Sequence, residues 1–314
     1  MSSGVSAAAP KGGLEGLIPK VGFGRCPLVL GECIQGRFGD EPHFLVTTPI
    51  DLHSSAEFTP RPETSEVLSD PPACAKARRA VERWLEEEGL PPGGLLKIRR
   101  PQRPALGFGT STADITAALR SAAAAYSRPL GPRRISEIAI AIEPSDGSMH
   151  PGCVAYAHRC GKLIESFGAM PGLRAFVLLS GEGVDTVTFD KARRDFIYSE
   201  RDQSILRRAW GLVREAHRTG RIGPMAEAGV MSAKINQQLL FKPALEEALD
   251  LFTHVEASGL FIAHTGSLIA FVFDPHRSGF ENRWEETTRF LSERLPGEWI
   301  VVDSSADADE KATP

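Results

Sequence analysis

The 314-residue chain is notable first for what it lacks. It has no apolar run approaching the ~20 residues needed to span a bilayer, which excludes the usual helical membrane anchor. Met1 to Gly16 is rich in Ser, Ala and Gly and has no apolar core of the kind a secretory signal carries. There is no excess of positive charge: the formal net charge is −4, which argues against a general nucleic-acid binder and leaves only local basic patches open. No Cys-x-x-Cys pair occurs among the five cysteines, Cys26, Cys33, Cys74, Cys153 and Cys160. Their odd number and irregular spacing speak against a disulfide framework or a structural zinc site, so reduced, buried thiols are expected. His150 with Cys153 and His158 with Cys160 have no second paired cluster to complete a metal centre. No internal repeat is visible.

What remains is an ordinary globular composition, 42% hydrophobic and 24% charged, long enough for one large core or two smaller ones. Candidate strands run over Leu28 to Leu30, Phe44 to Thr48 and Ser55 to Phe58, with a turn at Gly36 to Pro42. Pro60 to Pro72 reads as a loop, and Ala73 to Glu88 as a helix whose apolar face holds Val81, Trp84 and Leu85. Leu95 to Arg99 reads as a strand and Ile135 to Ile142 as a helix closed by Pro144. Arg174 to Leu179, Leu260 to Ala263, Ser267 to Phe273 and Trp299 to Asp303 read as strands. Asp202 to Thr219, Met225 to Gln238, Pro243 to Ser258 and Trp284 to Leu295 read as helices. Strands mixed with helices, without strict alternation, predict an α+β fold. Residues 1–18 and 304–314 are expected to be disordered tails, and the expected compartment is the cytoplasm.

The most informative segment is Leu106-Gly107-Phe108-Gly109-Thr110-Ser111-Thr112-Ala113-Asp114, followed by an alanine-rich helical run to Tyr126. A glycine turn feeding a helix N-terminus presents free N–H groups and a positive dipole end, where phosphates bind. Hydroxyls there can cap the helix, bond phosphate oxygens or reach a metal ion. The segment is not a Walker loop, because no lysine lies between Lys97 and Lys162, and it lacks the third glycine of a dinucleotide fingerprint. Arg99, Arg100 and Arg103, just before it, read as a solvated basic turn. Three further segments carry polar residues in turn contexts: Cys26-Pro27-Leu28-Val29-Leu30-Gly31-Glu32-Cys33-Ile34-Gln35-Gly36, Ile142-Glu143-Pro144-Ser145-Asp146-Gly147-Ser148, and Ala263-His264-Thr265-Gly266-Ser267. Taken singly, each is a turn.

The glycine segment resembles the phosphate loop of the GHMP small-molecule kinases, Gly-Leu-Gly-Ser-Ser-Ala-Ala, with Phe108 in place of leucine and Thr110, Ser111 and Thr112 following. Together with Gly183 to Thr188, the other segments resemble the L-threonine kinase branch of that superfamily, associated with cobalamin biosynthesis. There the matching segments run Cys-Pro-x-x-x-Gly-Glu-Leu-Ile-Gln-Gly, Glu-Pro-Thr-Asp, Val-Asp-Thr and Ala-His-Ser-Gly. The resemblance covers about Cys26 to Phe273. Val29-Leu30 and Gly147 depart from the pattern near the expected substrate pocket.

The resemblance implies a two-domain GHMP kinase fold: an N-terminal domain over residues 19–170 with the phosphate loop, and a ferredoxin-like C-terminal domain over 171–303. It implies an ATP- and Mg²⁺-dependent kinase acting on a small alcohol, the hydroxyl of L-threonine first. Another hydroxy-amino acid, or a non-catalytic GHMP-like regulatory or binding role, stands as the alternative. Gly107, Phe108, Gly109, Thr110, Ser111 and Thr112 would meet the nucleotide. Ser111 would ligate Mg²⁺ with a carboxylate: Glu137, nine residues before Asp146, is ranked first and Glu143 second. Asp146 is the candidate base. Glu32 would hold the substrate ammonium, with Gln35, His264, Thr265, Gly266 and Ser267 around the polar end or phosphate. The partners implied are the amino-acid substrate and ATP, with neither nucleic acid nor membrane, and a homodimer is one option for the oligomeric state.

Overall fold

A computed structural model describes residues 20–102, 106–179, 196–263 and 266–304. Arg103, the Gly183–Thr188 segment, His264, Thr265 and the residues assigned to the tails, other than Ser304, lie outside the described residues. Ser304, expected in the C-terminal tail, is bonded instead: its hydroxyl donates to the Pro171 carbonyl at 3.0 Å and accepts from the Leu173 N–H at 3.0 Å.

The described residues form ten strands: β1 Gly22–Gly36, β2 Phe44–Pro60, β3 Val67–Asp70, β4 Gly94–Arg99, β5 Cys153–Ala157, β6 Lys162–Gly168, β7 Arg174–Leu179, β8 Gly259–Ile262, β9 Leu268–Phe273 and β10 Glu298–Asp303. Seven helices accompany them: α1 Ala75–Glu87, α2 Thr110–Ala125, α3 Pro132–Ile140, α4 Glu200–Thr219, α5 Ile222–Asn236, α6 Pro243–Leu251 and α7 Phe280–Arg294. The main sheet runs β10-β7-β9-β8-β1-β2-β4-β3, with β5 and β6 branching from β2. All pairs are antiparallel except β3 with β4.

Several elements differ from the sequence expectation. Phe44 to Thr48 and Ser55 to Phe58 are one 17-residue strand, because β2 pairs β5 through Leu45–Thr47 and β4 through Ser55–Pro60. Residues 67–70, expected in a loop, add a short parallel edge strand, and β5 and β6 were not anticipated. The helix from Pro243 stops at Leu251, before the expected Ser258.

Alternation along β7, β8 and β9 explains why their residues are almost uniformly apolar. Ala175, Val177, Phe261, Ala270 and Val272 face one core, shared with residues of α1 to α5. Phe176, Leu178, Leu260, Ile269 and Phe271 face another, with residues of α6 and α7. A strand covered on both faces loses the polar half of its period-two pattern. Helix α2 is likewise buried nearly all round, as a central helix must be. Its small residues let it lie directly on β1: a Cβ at Gly24 would stand 2.2 Å from the Ala117 carbonyl oxygen. Helix α4 starts with a capping box, in which Ser199 and Asp202 satisfy each other's N–H groups, and ends at the left-handed Gly220. Among the described residues no helix is long and apolar enough to cross a membrane.

Candidate active site

Strand β4 leads into the glycine loop, and the loop opens α2. Gly109 caps the helix with φ +62°, a left-handed conformation that favours glycine, and Gly107 has φ +110°. No side chain caps α2 and its first turn carries no acidic residue, so its N–H groups and positive dipole end form a site suited to an anion. Two bonds fix the loop: Val29 N–H of β1 donates to the Phe108 carbonyl, and Leu268 N–H of β9 to the Leu106 carbonyl, both at 3.0 Å. The Phe108 ring is buried in the core, as are the Thr110 and Thr112 side chains, while Ser111 remains partly exposed.

Asp146 lies against this loop. A Cβ on Gly109 would come within 2.5 Å of its Oδ2. Its backbone N–H donates to the Thr112 hydroxyl at 3.2 Å, the Gly147 N–H donates to Thr47 Oγ1 at 2.9 Å, and the Ser148 N–H donates to Asp146 Oδ1 at 2.9 Å. Burial pushes the carboxyl from its ordinary 3.8 up to about 6; hydrogen bonds from Ser148 and Thr112 oppose the rise and the Glu32 charge adds to it.

The two metal candidates separate in space. The Ser111 hydroxyl donates to Glu143 Oε1, and Lys76 of α1 pairs with the other oxygen of the same carboxylate at 2.5 Å. Glu137 sits on α3 with a half-exposed carboxylate bonded to Arg134 at 3.0 Å and Arg133 at 3.3 Å, and the Arg134 bond holds it below the ordinary carboxylate range. The family's spacing of roughly ten residues before the aspartate suggested Glu137, but the turn closing α3, in which the Ile142 and Glu143 N–H groups donate to the Ala139 carbonyl, leaves Glu143 as the carboxylate that meets Ser111.

Glu32 and Gln35 come from a bulged stretch of β1. Glu32 pairs with Thr47 and Gln35 with Leu45, three positions against two. The extra residue returns Gln35 to the face that Glu32 and Thr47 share, since paired residues project to the same side. Thr47 Oγ1 bonds the Asp146 turn, so that face looks toward Asp146. Ala263 and Gly266 pack on the glycine loop: a Cβ on Gly107 would meet that of Ala263 at 2.1 Å, and a Cβ on Gly266 would come 2.6 Å from the Gly107 nitrogen. Ser267 is buried beside it.

Sequence reasoning missed Thr47, Lys76 and Lys242. None stands in a motif; only long-range pairing brings them to the loop. Lys242 Nζ donates to the carbonyls of Ala263 and, at 2.6 Å, Gly266. Arg100, read as solvated, is instead paired with the buried Asp114 of α2, which also accepts from Ser54 at 2.6 Å. A separate cavity of about 410 Å³, lined by Phe273, Arg277, Trp284 and Phe290 among others, shares none of these residues.

Residues 75–157 match the model of the GHMP kinases N terminal domain, a span holding α1, the glycine loop, Glu143 and Asp146. The L-threonine kinase of Citrobacter freundii is 27% identical over 281 residues, covering 88% of this chain and 95% of that one. That of Salmonella typhimurium is 29% identical over 264 residues, 82% and 84% of the two. Among solved structures, the L. major mevalonate kinase in complex with R-mevalonate superposes with a TM-score of 0.66 at 15% identity, over 91% of this chain and 95% of that chain. A homoserine kinase from Cytophaga hutchinsonii does so with 0.64 at 12% identity, over 91% and 94%. The matched domain and the kinase relatives support a phosphotransferase acting on small molecules, similar to the GHMP kinases over the matched span. Its particular resemblance is to the L-threonine kinases.

Proposed function

We propose that the protein transfers the γ-phosphoryl group of ATP to the hydroxyl of L-threonine, giving O-phospho-L-threonine and ADP. The observation that carries the reading is the convergence of three groups on one helix start: the uncapped α2 N-terminus, the Ser111–Glu143 pair and buried Asp146 against Gly109. Phosphoryl transfer asks a protein for positioning and charge neutralisation more than for covalent chemistry.

The N–H groups of the loop and first turn would receive the triphosphate. A hydroxyl beside a carboxylate is a hard-oxygen donor set that fits Mg²⁺, which takes one or two carboxylates and completes its shell with phosphate oxygens and water. Ser111 and Glu143 would hold the ion, with Lys76 balancing the carboxylate before it binds. Bound Mg²⁺ would neutralise charge developing on the phosphates. Asp146 takes the proton of the attacking hydroxyl; burial lifts its proton affinity toward the working pH while leaving it mostly ionised there. Glu32 faces the ammonium of the amino acid, and Gln35, Gly266 and Ser267 border the same space. Residues 171–303 form the ferredoxin-like C-terminal domain in this reading, supported by the antiparallel order β10-β7-β9-β8 with helices in both crossovers.

The test is ADP release with Mg·ATP and a panel of L-threonine, L-serine and L-homoserine. Threonine should be the best acceptor. Serine should be slower and still used, because one missing methyl is worth only about 1–3 kcal/mol in an apolar pocket. A protein that binds Mg·ATP and is inert toward all three refutes the reading.

A further inference from the structure

Lys242, like Lys76, is a cation at this site that no motif announces. It is the N-cap residue of α6, with Pro243 at the helix start. Gln237, just past the end of α5, clamps its backbone from both sides: Oε1 accepts from the Lys242 N–H at 2.9 Å, and Nε2 donates to the Lys242 carbonyl at 3.1 Å. So anchored, the side chain runs inward to the carbonyls of Ala263 and Gly266. Those carbonyls belong to the backbone packed on Gly107, so the ammonium stands beside the phosphate loop.

Two carbonyls accept from a group that carries three N–H donors, which leaves one for a further acceptor. A lysine drawn out of water is costly unless an anion meets it. Burial lowers its proton affinity to about 8, and the Glu32 carboxylate opposes that fall. Glu32 pairs across the sheet with Ile262, next to the Ala263 whose carbonyl takes the lysine, and its charge also acts on Asp146, so it lies near both the cation and the candidate base. A carboxylate, a cation and a proton acceptor around one space match an α-amino acid bearing a side-chain hydroxyl.

We infer that Lys242 binds the carboxylate of the amino-acid acceptor through its remaining ammonium proton, while Glu32 holds the acceptor's ammonium. The assignment rests on the amino-acid kinase reading above. It makes Lys242 a specificity-determining residue, selecting acceptors by their anionic end.

The experiment compares L-threonine with L-threoninamide, which keeps hydroxyl and ammonium and loses only the negative charge. The wild type should prefer threonine by roughly 10²-fold in kcat/KM, the scale of losing one partner of a buried charge pair. In Lys242→Met the threonine value should fall by about the same factor, chiefly through KM, while threoninamide changes little and the preference collapses. Lys242→Gln keeps a donor for the carbonyls without the charge and should behave alike. Lys242→Arg should recover part of the preference. Thermal unfolding and Mg·ATP affinity of each variant report the fold. If Lys242 grips the transferring phosphate or only ties the turn, both acceptors weaken together and the preference survives; that outcome overturns the inference and leaves the kinase reading standing. A wild type inert toward threonine, serine and homoserine overturns the reading, and the inference with it.

Discussion

Replacing Asp146 by asparagine should cost activity and raise stability at neutral pH. Burial lifts its carboxyl from 3.8 to about 6 in the folded chain. A raised proton affinity means that the folded state binds the proton more tightly than the unfolded state. Stability therefore falls as pH rises between these two values. The penalty is absent below about 3.8, roughly half developed at pH 5 and complete above about 6. At about 1.4 kcal/mol per tenfold change in proton affinity, the ionised form costs the fold about 3 kcal/mol at pH 7.5. Asparagine preserves an oxygen for the Ser148 N–H and removes the charge, but its amide protons need acceptors. The net gain expected is therefore about 1–3 kcal/mol at pH 7.5 and about 1.5 kcal/mol less at pH 5, because the amide's cost does not change with pH. Urea unfolding at the two pH values measures it, with kcat from ADP release alongside. The rate should fall roughly 10²- to 10⁴-fold, and Mg·ATP affinity should hold because the phosphates rest on the separate loop. An asparagine variant no more stable than wild type at pH 7.5, or equally stabilised at both pH values, would refute the burial argument. Unchanged turnover would remove Asp146 as the base.

Four other outcomes are expected. Glu143→Gln should raise the Mg²⁺ concentration needed for turnover by an order of magnitude or more, while Glu137→Gln, exposed and paired with Arg133 and Arg134, should be close to neutral; the reverse pattern in a Mg²⁺ titration exchanges their roles. Gly109→Ala combines φ +62° with a 2.5 Å approach to Asp146, so isothermal titration should show weaker nucleotide binding and displaced catalysis in a protein that still folds. Wild-type kcat should decline on acidification through about pH 6, as Asp146 takes up its proton; a rate flat down to pH 5 contradicts that. Of the five thiols, four are buried and Cys160 is exposed, so mass spectrometry after alkylation of the native protein should find Cys160 modified first and activity retained.

Local chemistry was readable along the chain wherever a signal is short-range. Gly107 and Gly109 before a hydroxyl run, the apolar period of α1 and the six-residue run of β7 need only their neighbours to be recognised. The continuity of β2 was not, because its midsection is polar enough to read as a break until β4 and β5 pair with its two halves. Strands β5 and β6 escaped for other reasons: β5 is a short run buried at every position, β6 is mostly exposed, and only their hairpin, with β5 joined to β2, makes them part of the sheet.

The same division runs through the site. The linear sequence determined which residue types could do phosphoryl-transfer chemistry, since a glycine turn at a helix start exposes N–H groups whatever surrounds it. Only the tertiary structure decided which of them meet. The turn closing α3, not the interval to Asp146, put Glu143 on Ser111; a three-against-two bulge returned Gln35 to the face of Glu32; and a loop more than a hundred residues away delivered Lys242. These contacts depend on register and chain reversal, which are set by the packing of the whole sheet and its helices and leave no local trace.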